Sequence, residues 1–498
     1  MSRPKPPESA THREQHLNGQ STTEQVRPDQ VRTEQVLTEQ EQRENKATQV
    51  GAKATNLRVL SGSLAGSSIE WYDFFLYATA SALIFNEQFF PTDDPYISQM
   101  LSYLTLALTF FIRPFGGIVF SHFGDRVGRK VTLVVTLSMM GGATVAIGFL
   151  PTYDQVGVLA PILLVICRII QGLAIGGEWG GALLLAYEYA PRAKRGLFGS
   201  VPQMGITIGM LLAAGAFALV SALGEEFLVG VGWRLPFIAS VLLVIVGLWI
   251  RGGLGETPHF KQAKAAGNVA KVPLLVTLRH HWRAVLVAVG VKVVETAPFY
   301  IFATFVVSYA TGLLDYAQST PLNAVMLGAG LSTVLIPVMG ALSDRVGRFR
   351  VYSTGVVLIA LFAFPFFMLV NLQNNLALYV AVVVSLGVVW PPVTATLGTM
   401  CSEIFSAEVR YTGVTLGYQI GAALAGGTAP LIATFLLKEF NGAWQSISVY
   451  LVITAAVSLT ALVFAPSIAR KEAQAEVVPV AAQDADAHIA PSTSEARK

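Results

Sequence analysis

The chain has 498 residues, of which 53% are hydrophobic and only 13% carry a charge. Soluble domains hold roughly one quarter charged residues, so this composition excludes an ordinary soluble protein and indicates a membrane protein. The formal net charge of +3 is small for this length, and the basic residues stand in short clusters between apolar runs. Such clusters are typical of membrane topology signals, and no nucleic-acid partner is expected.

The two ends of the chain differ in composition from its middle. Residues 1–56 are rich in Gln, Glu, Thr and Arg, and residues 24–43 run in a loose five-residue repeat. A segment of this kind buries too little apolar surface to offset the entropy lost on ordering. It lacks the apolar core and cleavage site of a secretory signal. We predict a disordered cytoplasmic tail over 1–56 and another over 467–498, which is rich in Ala, Glu and Asp.

Twelve apolar runs lie between these tails. They cover residues 62–86, 97–120, 131–150, 158–186, 198–223, 233–250, 284–311, 319–341, 350–370, 376–402, 411–437 and 444–466. Most are long enough to cross a hydrocarbon core of ~30 Å, for which about 20 helical residues suffice. Their many Gly residues and internal Pro residues are tolerated where helices pack closely in lipid. The pattern predicts an all-α membrane protein with twelve transmembrane helices.

Lys and Arg concentrate in alternate loops between these runs, which sets the predicted orientation. The basic set includes Arg126, Arg129, Lys130, Arg192, Lys194, Arg195, Arg345, Arg348, Arg350 and several positions within 251–283. The other set offers only Arg234 and Lys438, beside several acids. Short cytoplasmic loops carry the excess of positive charge. Both termini are therefore predicted to be cytoplasmic.

The two halves of the chain repeat one another. SHFGDRVGRK at 121–130 is matched by GALSDRVGRF at 340–349, and in each half a glutamate later precedes an arginine by seven residues (Glu188 and Arg195, Glu403 and Arg410). We predict two six-helix bundles, at 57–250 and 284–466, joined by a cytoplasmic linker at 251–283. Parallel repeats of this kind rock against each other around a central site.

The repeated motif resembles the loop signature of the major facilitator superfamily, Gly-x-x-x-Asp-Arg-x-Gly-Arg-Lys, between helices 2 and 3. Ser121 replaces the first Gly here, and Phe349 stands where the second copy usually has a base. Four further segments are IEWYDFFLY (69–77), FIRPFGG (111–117), RIIQGLAIGGEWGG (168–181) and RGLFGSVPQMG (195–205). They resemble the metabolite:proton symporter family, whose members carry organic acids such as 2-oxoglutarate, citrate and shikimate, or zwitterions such as proline and betaine.

The resemblance, which covers residues from about 58 to 466, implies the major facilitator fold and proton-coupled uptake of a small polar metabolite across the cell inner membrane. An organic acid such as shikimate or a dicarboxylate is the preferred substrate; a zwitterion such as proline or betaine is the alternative. A proton-coupled exporter is a further alternative, although helix 5 reads VPQMGITIG, without the Gly-Pro motif common in exporters. Besides the proton as coupling ion, no cofactor, metal or catalytic cluster is expected, and we expect a monomer in the lipid bilayer.

Ionisable residues within the apolar runs are the candidate functional residues, because a charge at mid-bilayer costs about 2.5–3.5 kcal/mol. They are Glu70, Asp73, Arg113, Arg168, Glu178, Lys292 and Glu295. Related sugar porters place a proton-sensing Asp of helix 1 against an Arg of helix 4. The resemblance assigns that proton-coupling role to Asp73 and Arg168, with Glu178 as a further candidate. A permanent ion pair that only fixes the helix register is the alternative.

Several of these residues are also candidates for contact with substrate. Arg168, Gln171 and Glu178 lie within an arc of about 80° on one helix face. Arg113 could bind a carboxylate bidentately or pair with an acid. Lys292 and Glu295 could pair with each other or contact substrate. With Tyr77, one turn beyond Asp73, the candidate substrate-binding residues are Arg113, Gln171, Tyr77, Lys292 and Glu295. The aromatic residues Phe299, Tyr300, Phe302 and Trp390 are expected to serve packing instead.

The loop motifs are predicted to act in gating. The residues concerned are Asp125, Arg126, Gly128, Arg129, Glu188, Arg195, Asp344, Arg345, Gly347, Arg348, Glu403 and Arg410. The resemblance implies that they latch the outward-open state. Exposed ion pairs contribute only about 0–1 kcal/mol, so these pairs matter only if they form in one state and break in another.

Overall fold

The computed structural model describes residues 60–62, 64–127, 129–176, 190–252, 277, 279–405 and 410–487. The side chains of residues 118, 121–130, 133, 192, 250–252, 410, 411 and 469–487 lie outside that description. Of the predicted site residues, Gly128, Glu178 and Glu188 fall outside the described residues. The same holds for the side chains of Asp125, Arg126, Arg129 and Arg410.

The described residues are helical almost throughout. The long helices are α1 (64–83), α2 (Pro95–Val127), α3 (Arg129–Gly148), α4 (Leu159–Gly176), α5 (Arg195–Ser221), α6 (Arg234–Gly252), α7 (Trp282–Leu313), α8 (Ser319–Val346), α9 (Arg348–Val370), α10 (Asn375–Ile404), α11 (Arg410–Ala425 with Ala429–Glu439) and α12 (Gln445–Ala487). Short helices at Phe85–Gln88, Tyr153–Val156, Arg192–Lys194 and Glu225–Phe227 connect some of them.

Nine of the described helices are long and apolar enough to cross a membrane, and a tenth is added if the pair Glu225–Gly232 and Arg234–Trp249, bent by 57°, forms one span. Helix α1 (64–83), which carries Glu70 and Asp73, is not among these helices. Helix α3 contributes only a shorter apolar stretch, Val134–Gly148. The predicted multi-pass, all-helical architecture is therefore confirmed, while the number twelve stays a prediction.

The first and second halves of the chain meet most extensively where α5 packs on α8. Small residues permit this contact: a Cβ added to Gly196 would collide with Gly340 and Ser343, and one added to Gly340 would collide with Ser200. Without a hydrophobic drive between helices in lipid, such close backbone approach supplies much of the packing energy. The α2 helix packs on α11 across the same boundary.

Two π-helical turns lie within the second half of the chain. Ile301–Phe305 follows Pro298 within α7, and Ser385–Val389 precedes Pro391 within α10. Proline lacks the N–H that a regular helix needs, and its ring crowds the turn before it, which accounts for the π-turn before Pro391 but not for the one after Pro298. These irregular turns place Tyr300 and Trp390, which both face the centre of the bundle.

The last helix, α12, continues to Ala487, past the boundary near residue 466 that the sequence predicted for the C-terminal tail. Its distal part is rich in Ala and Glu, which are strong helix formers and can extend an existing helix beyond the membrane.

Candidate functional site

Two small adjoining pockets lie between the halves at the centre of the bundle, and they share Trp71, Arg113 and Tyr418. The first is completed by Glu70, Phe74, Ile175 and Gln419. The second is completed by Phe110, Ile206, Lys292, Glu295, Thr296, Phe299, Tyr300, Trp390 and Ala422. Charged and aromatic side chains from both halves therefore meet in one enclosed place, the arrangement expected of a small-molecule site.

Arg113 is the cation common to both pockets. Its side chain is only 3% exposed, and its guanidinium carbon lies 4.1 Å from the centre of the Phe110 ring and 4.8 Å from that of Phe74. The Nε–H group has no hydrogen-bond partner. A buried donor left without an acceptor is costly, so this group is poised to bind an acceptor from a ligand.

Lys292 and Glu295 form a buried ion pair on α7. The Glu295 carboxylate also accepts hydrogen bonds from the hydroxyls of Thr296 (2.9 Å) and Thr394 (3.1 Å). The Lys292 ammonium lies 3.5 Å from the centre of the Tyr418 ring. The predicted pair is therefore present, and both residues line the second pocket, while their contact with substrate stays a prediction.

Aromatic side chains form the walls of the second pocket. The rings of Phe299 and Trp390 lie 4.5 Å apart between centres, and Trp390 Nε1 donates to the Glu295 carbonyl oxygen at 2.7 Å. Phe299, Tyr300 and Trp390, expected to be packing residues, do lie in the buried aromatic core, and they also line this pocket. Phe302 does pack in the core, against Phe366.

Asp73 and Arg168 do not form a direct ion pair. Neither carboxylate oxygen of Asp73 has a hydrogen-bond partner, although the side chain is only 1% exposed. Arg168 is fully buried, and its Nη1 donates to Gln171 Oε1 at 2.7 Å. The two residues proposed to couple the proton are therefore both enclosed but unlinked in this conformation.

A hydrogen-bonded chain leads from Arg168 toward Asp73. Gln171 Nε2 donates to Thr144 Oγ1 at 2.8 Å, and the Thr144 hydroxyl donates to the Met140 carbonyl oxygen at 3.0 Å. That hydroxyl lies beside the Asp73 carboxylate. Gln171 therefore serves to position Arg168, and it does not line either pocket, which differs from its predicted role at the substrate.

Tyr77 also lies away from the pockets. Its ring centre is 3.5 Å from the Arg168 guanidinium carbon, and its hydroxyl is hydrogen-bonded to Thr105. The residue is fully buried. The Tyr77 ring therefore lies under Arg168, where a cation over an aromatic face is stabilised, and outside the lining of the two pockets.

The second copy of the repeated motif joins the two halves at one end of the bundle, called the motif end below. Asp344 accepts hydrogen bonds from the backbone N–H groups of Gly196 (2.7 Å) and Leu197 (3.0 Å). Arg348 pairs with Asp344 and with Glu403. Glu403, which the sequence groups with Arg410, pairs here with Arg348. The side chain of Arg410 lies outside the description.

Gly347 and Arg345 belong to the same motif but have different surroundings. Gly347 has φ +103°, a conformation that non-glycine residues rarely adopt, and it forms the turn between α8 and α9. Arg345 is exposed at the end of α8. The glycine of the motif is thus required by backbone geometry.

Contacts between the halves also close the opposite end of the bundle. Lys438 pairs with Asp94 at 2.7 Å, and the hydroxyls of Tyr103 and Ser308 are 2.7 Å apart. Asp94, the partner of Lys438, lies outside the apolar spans. The Lys438 ammonium group holds the pKa of the Asp94 carboxyl below its usual value. The two halves are therefore in contact at both ends of the bundle, with the central pockets between these contacts.

Trp71, Tyr418 and Gln419 line the pockets but were missed from the sequence. The sequence-predicted site residues within the apolar runs are charged residues and two polar residues close to them on the same helices, Gln171 and Tyr77. Gln419 had the same kind of signal in weaker form, since an amide within the Gly- and Ala-rich α11 is also costly in lipid unless it has a role. No pattern in the sequence distinguished Trp71 or Tyr418 from packing aromatics.

A helical bundle of apolar spans with an enclosed, charged site between its halves defines a multi-pass membrane transporter. A family model described as "Sugar (and other) transporter" matches residues 59–274. The shikimate transporter of Escherichia coli (strain K12) is 40% identical over 415 residues, which cover 82% of this chain and 94% of that protein. The inner membrane metabolite transport protein YhjE of the same organism is 39% identical over 419 residues, covering 81% and 93%.

The proline/betaine transporter of the same organism is 32% identical over 415 residues, covering 81% of this chain and 82% of that protein. Among solved structures, a D-xylose-proton symporter superposes with a TM-score of 0.62 at 16% identity, covering 82% of this chain and 96% of that one. The latter likeness bears on the fold alone. The chain belongs to the major facilitator superfamily, within its family of inner-membrane metabolite transporters. It is a transporter and not an enzyme.

Proposed function

We propose that this transporter takes up an organic acid together with a proton, by alternating access. The observation that carries the proposal is the central site, where the buried Arg113 presents an Nε–H without an acceptor between the two halves. A carboxylate is the ligand group that best satisfies a buried guanidinium, because it accepts charge-assisted hydrogen bonds in a matching plane.

The contacts that other charged groups of the site already make within the protein support an anion over a zwitterion as the substrate. An ammonium ligand needs a free carboxylate or a free aromatic face. Glu295 already accepts from Lys292, Thr296 and Thr394. Three of the aromatic faces at the pockets, those of Phe74, Phe110 and Tyr418, are taken by the protein's own cations, Arg113 and Lys292.

A zwitterion is the second candidate. The 32% identity to proline/betaine transporters favours it, and so does Glu70, a carboxylate in the first pocket. The 40% identity to a shikimate transporter favours the acid, shikimate-like or dicarboxylate. Export remains the least supported alternative, since nothing in the described site favours it over uptake.

Asp73 is the proposed proton carrier. An ionised carboxylate buried without a donor is strongly disfavoured, so the enclosed state described here accommodates Asp73 as the neutral acid. The groups that face it are Glu70 on its own helix, Thr144 on α3 and, through Gln171, Arg168 on α4. Loss of the proton would draw Arg168 toward Asp73 and break the Arg168–Gln171 contact, which changes the packing of α1 on α4.

The test is uptake into proteoliposomes under an imposed inward proton gradient, with labelled shikimate, 2-oxoglutarate, citrate, proline and betaine. Wild type, Asp73→Asn and the control Asp93→Asn, an exposed acid in the loop before α2, are compared. We expect one acid to accumulate in wild type and control, and Asp73→Asn to exchange it without accumulation. Normal accumulation by Asp73→Asn would make Asp73 structural and move the proton site to Glu178 or Glu295.

A further inference from the structure

Three of the residues that line the first pocket each carry a buried polar atom without a hydrogen-bond partner. Two are donors, Trp71 Nε1 and Arg113 Nε, and one is an acceptor, Gln419 Oε1. Gln419 is 4% exposed and lies on α11, in the second half, whereas Trp71 and Arg113 belong to the first half. Buried polar atoms in native proteins nearly always have partners, so three residues with such atoms around one pocket indicate a binding site for a polar ligand.

Their chemistry defines the ligand. The two N–H groups need acceptors, which the oxygens of a carboxylate supply, while the amide oxygen of Gln419 needs a donor. A simple carboxylate offers no donor. An ammonium would also offer one, but it would add a positive charge beside Arg113 and Lys292, in pockets that also hold Glu70 and Glu295. A hydroxyl group donates without adding charge.

We propose that the Gln419 amide oxygen accepts a hydrogen bond from a hydroxyl group of the substrate. The transported acid is then a hydroxylated carboxylate, with its carboxylate bound by Trp71 and Arg113 and its hydroxyl bound by Gln419. The proposal rests on the proposed function and specifies its substrate class. Such a ligand bridges the two halves, and neither half alone satisfies all of its polar groups. The hydroxyl therefore contributes to closing the site around the substrate as well as to specificity.

Two matched pairs of ligands test this, each differing by hydroxyl groups alone: shikimate with 1-cyclohexene-1-carboxylate, and malate with succinate. Affinities are measured on purified protein by direct or competitive binding. We expect wild type to bind the hydroxylated member of at least one pair about tenfold or more tightly than its partner. Proline is included as the ammonium donor without a hydroxyl.

Three variants separate specific recognition of the hydroxyl from a general loss of binding. Gln419→Met keeps the length of the side chain, and we expect it to lose about tenfold affinity for the hydroxylated ligand while the other is unchanged, which removes the discrimination. Trp71→Phe should weaken both members of the pair equally, because it acts on the carboxylate. Gln203→Met is the control: this amide is also buried with an unpartnered Nε2, but it lies on α5 and outside both pockets.

The outcomes are distinct. Equal affinity of wild type for both members of each pair, or equal loss of both ligands in Gln419→Met, would overturn the role of Gln419 while leaving uptake of an organic acid intact. Preference for proline, or binding of none of the four organic acids by wild type, would instead overturn the proposed function itself. If Gln419→Met does not fold, Gln419→Asn, which keeps the amide but shortens it, is expected to show the same selective loss.

Discussion

Asp344 at the end of α8 caps the start of α5 in the other half of the protein, accepting the Gly196 N–H at 2.7 Å. A helix N-terminus carries unpaired N–H groups and a partial positive charge, so a carboxylate there is worth about 0.5–2 kcal/mol. Because donor and acceptor belong to different halves, this energy depends on whether the halves are together at the motif end.

Replacing Asp344 is therefore expected to favour opening at the motif end. Asp344→Ala should shift the balance between closed and open by about 1–2 kcal/mol, roughly a factor of 5–30. Distance measurements between spin or fluorescent labels on α5 and α8 report the shift. Arg350→Gln, an exposed charge at the same end, is the control. An unchanged distance distribution in Asp344→Ala would show that the cap does not hold the gate.

The Asp94–Lys438 pair is expected to hold the opposite end closed over most of the pH range. Its ammonium lowers the pKa of Asp94. A carboxylate with a lowered pKa contributes its stabilisation above its ordinary pKa, about 3.8, and loses it as the pH falls through the lowered value. Opening at this end, read by labelling of an engineered cysteine, should be flat from pH 8 to about 5 and rise only below about 4.

Asp94→Asn should abolish that pH response and raise labelling at pH 7, and Lys438→Gln should do the same. The double variant is expected to match either single variant, and the exchange Asp94→Lys with Lys438→Asp should restore closure in part. Additive effects of the two single variants would mean that the residues act separately.

Close packing of α2 on α4 is expected to depend on Gly116. A Cβ at this position would collide with the backbone of Leu173, which cannot move aside as a flexible side chain would. Gly116→Ala should destabilise the protein by about 1–3 kcal/mol and disturb Arg113, one helical turn earlier. Gly142→Ala on α3, where no atom lies within 4 Å of the added carbon, should be neutral or slightly stabilising. Thermal unfolding of purified protein compares the two variants.

The support that Tyr77 gives to Arg168 is expected to come from its ring. Tyr77→Phe loses the hydrogen bond to Thr105 but keeps the aromatic face, so transport should stay within about threefold of wild type. Tyr77→Leu removes the face from a fully desolvated cation, and transport should fall by about tenfold or more. Substrate affinity should change little in either variant. A large loss of affinity in Tyr77→Phe would restore Tyr77 to the substrate site.

Much of the site could be predicted because charge within an apolar run is a strong signal. Arg113, Lys292 and Glu295 were identified in this way, and the structure brings all three to the pockets. Gln171 and Tyr77 were identified by their position near a charged residue on the same helix. They support Arg168 instead, because position on a helix face does not tell which neighbour the face meets.

The sequence by itself determined the class of protein, since long apolar runs must form helices in lipid. The second copy of the repeated motif contains Gly347, and the structure shows that this glycine has a positive φ at the turn between α8 and α9. Only the tertiary structure decided which polar groups meet. Asp73 lacks Arg168 as a partner, and Trp71, Arg113 and Gln419 face one pocket, because the rotation and crossing of helices from different halves follow from packing of small residues that no local pattern encodes.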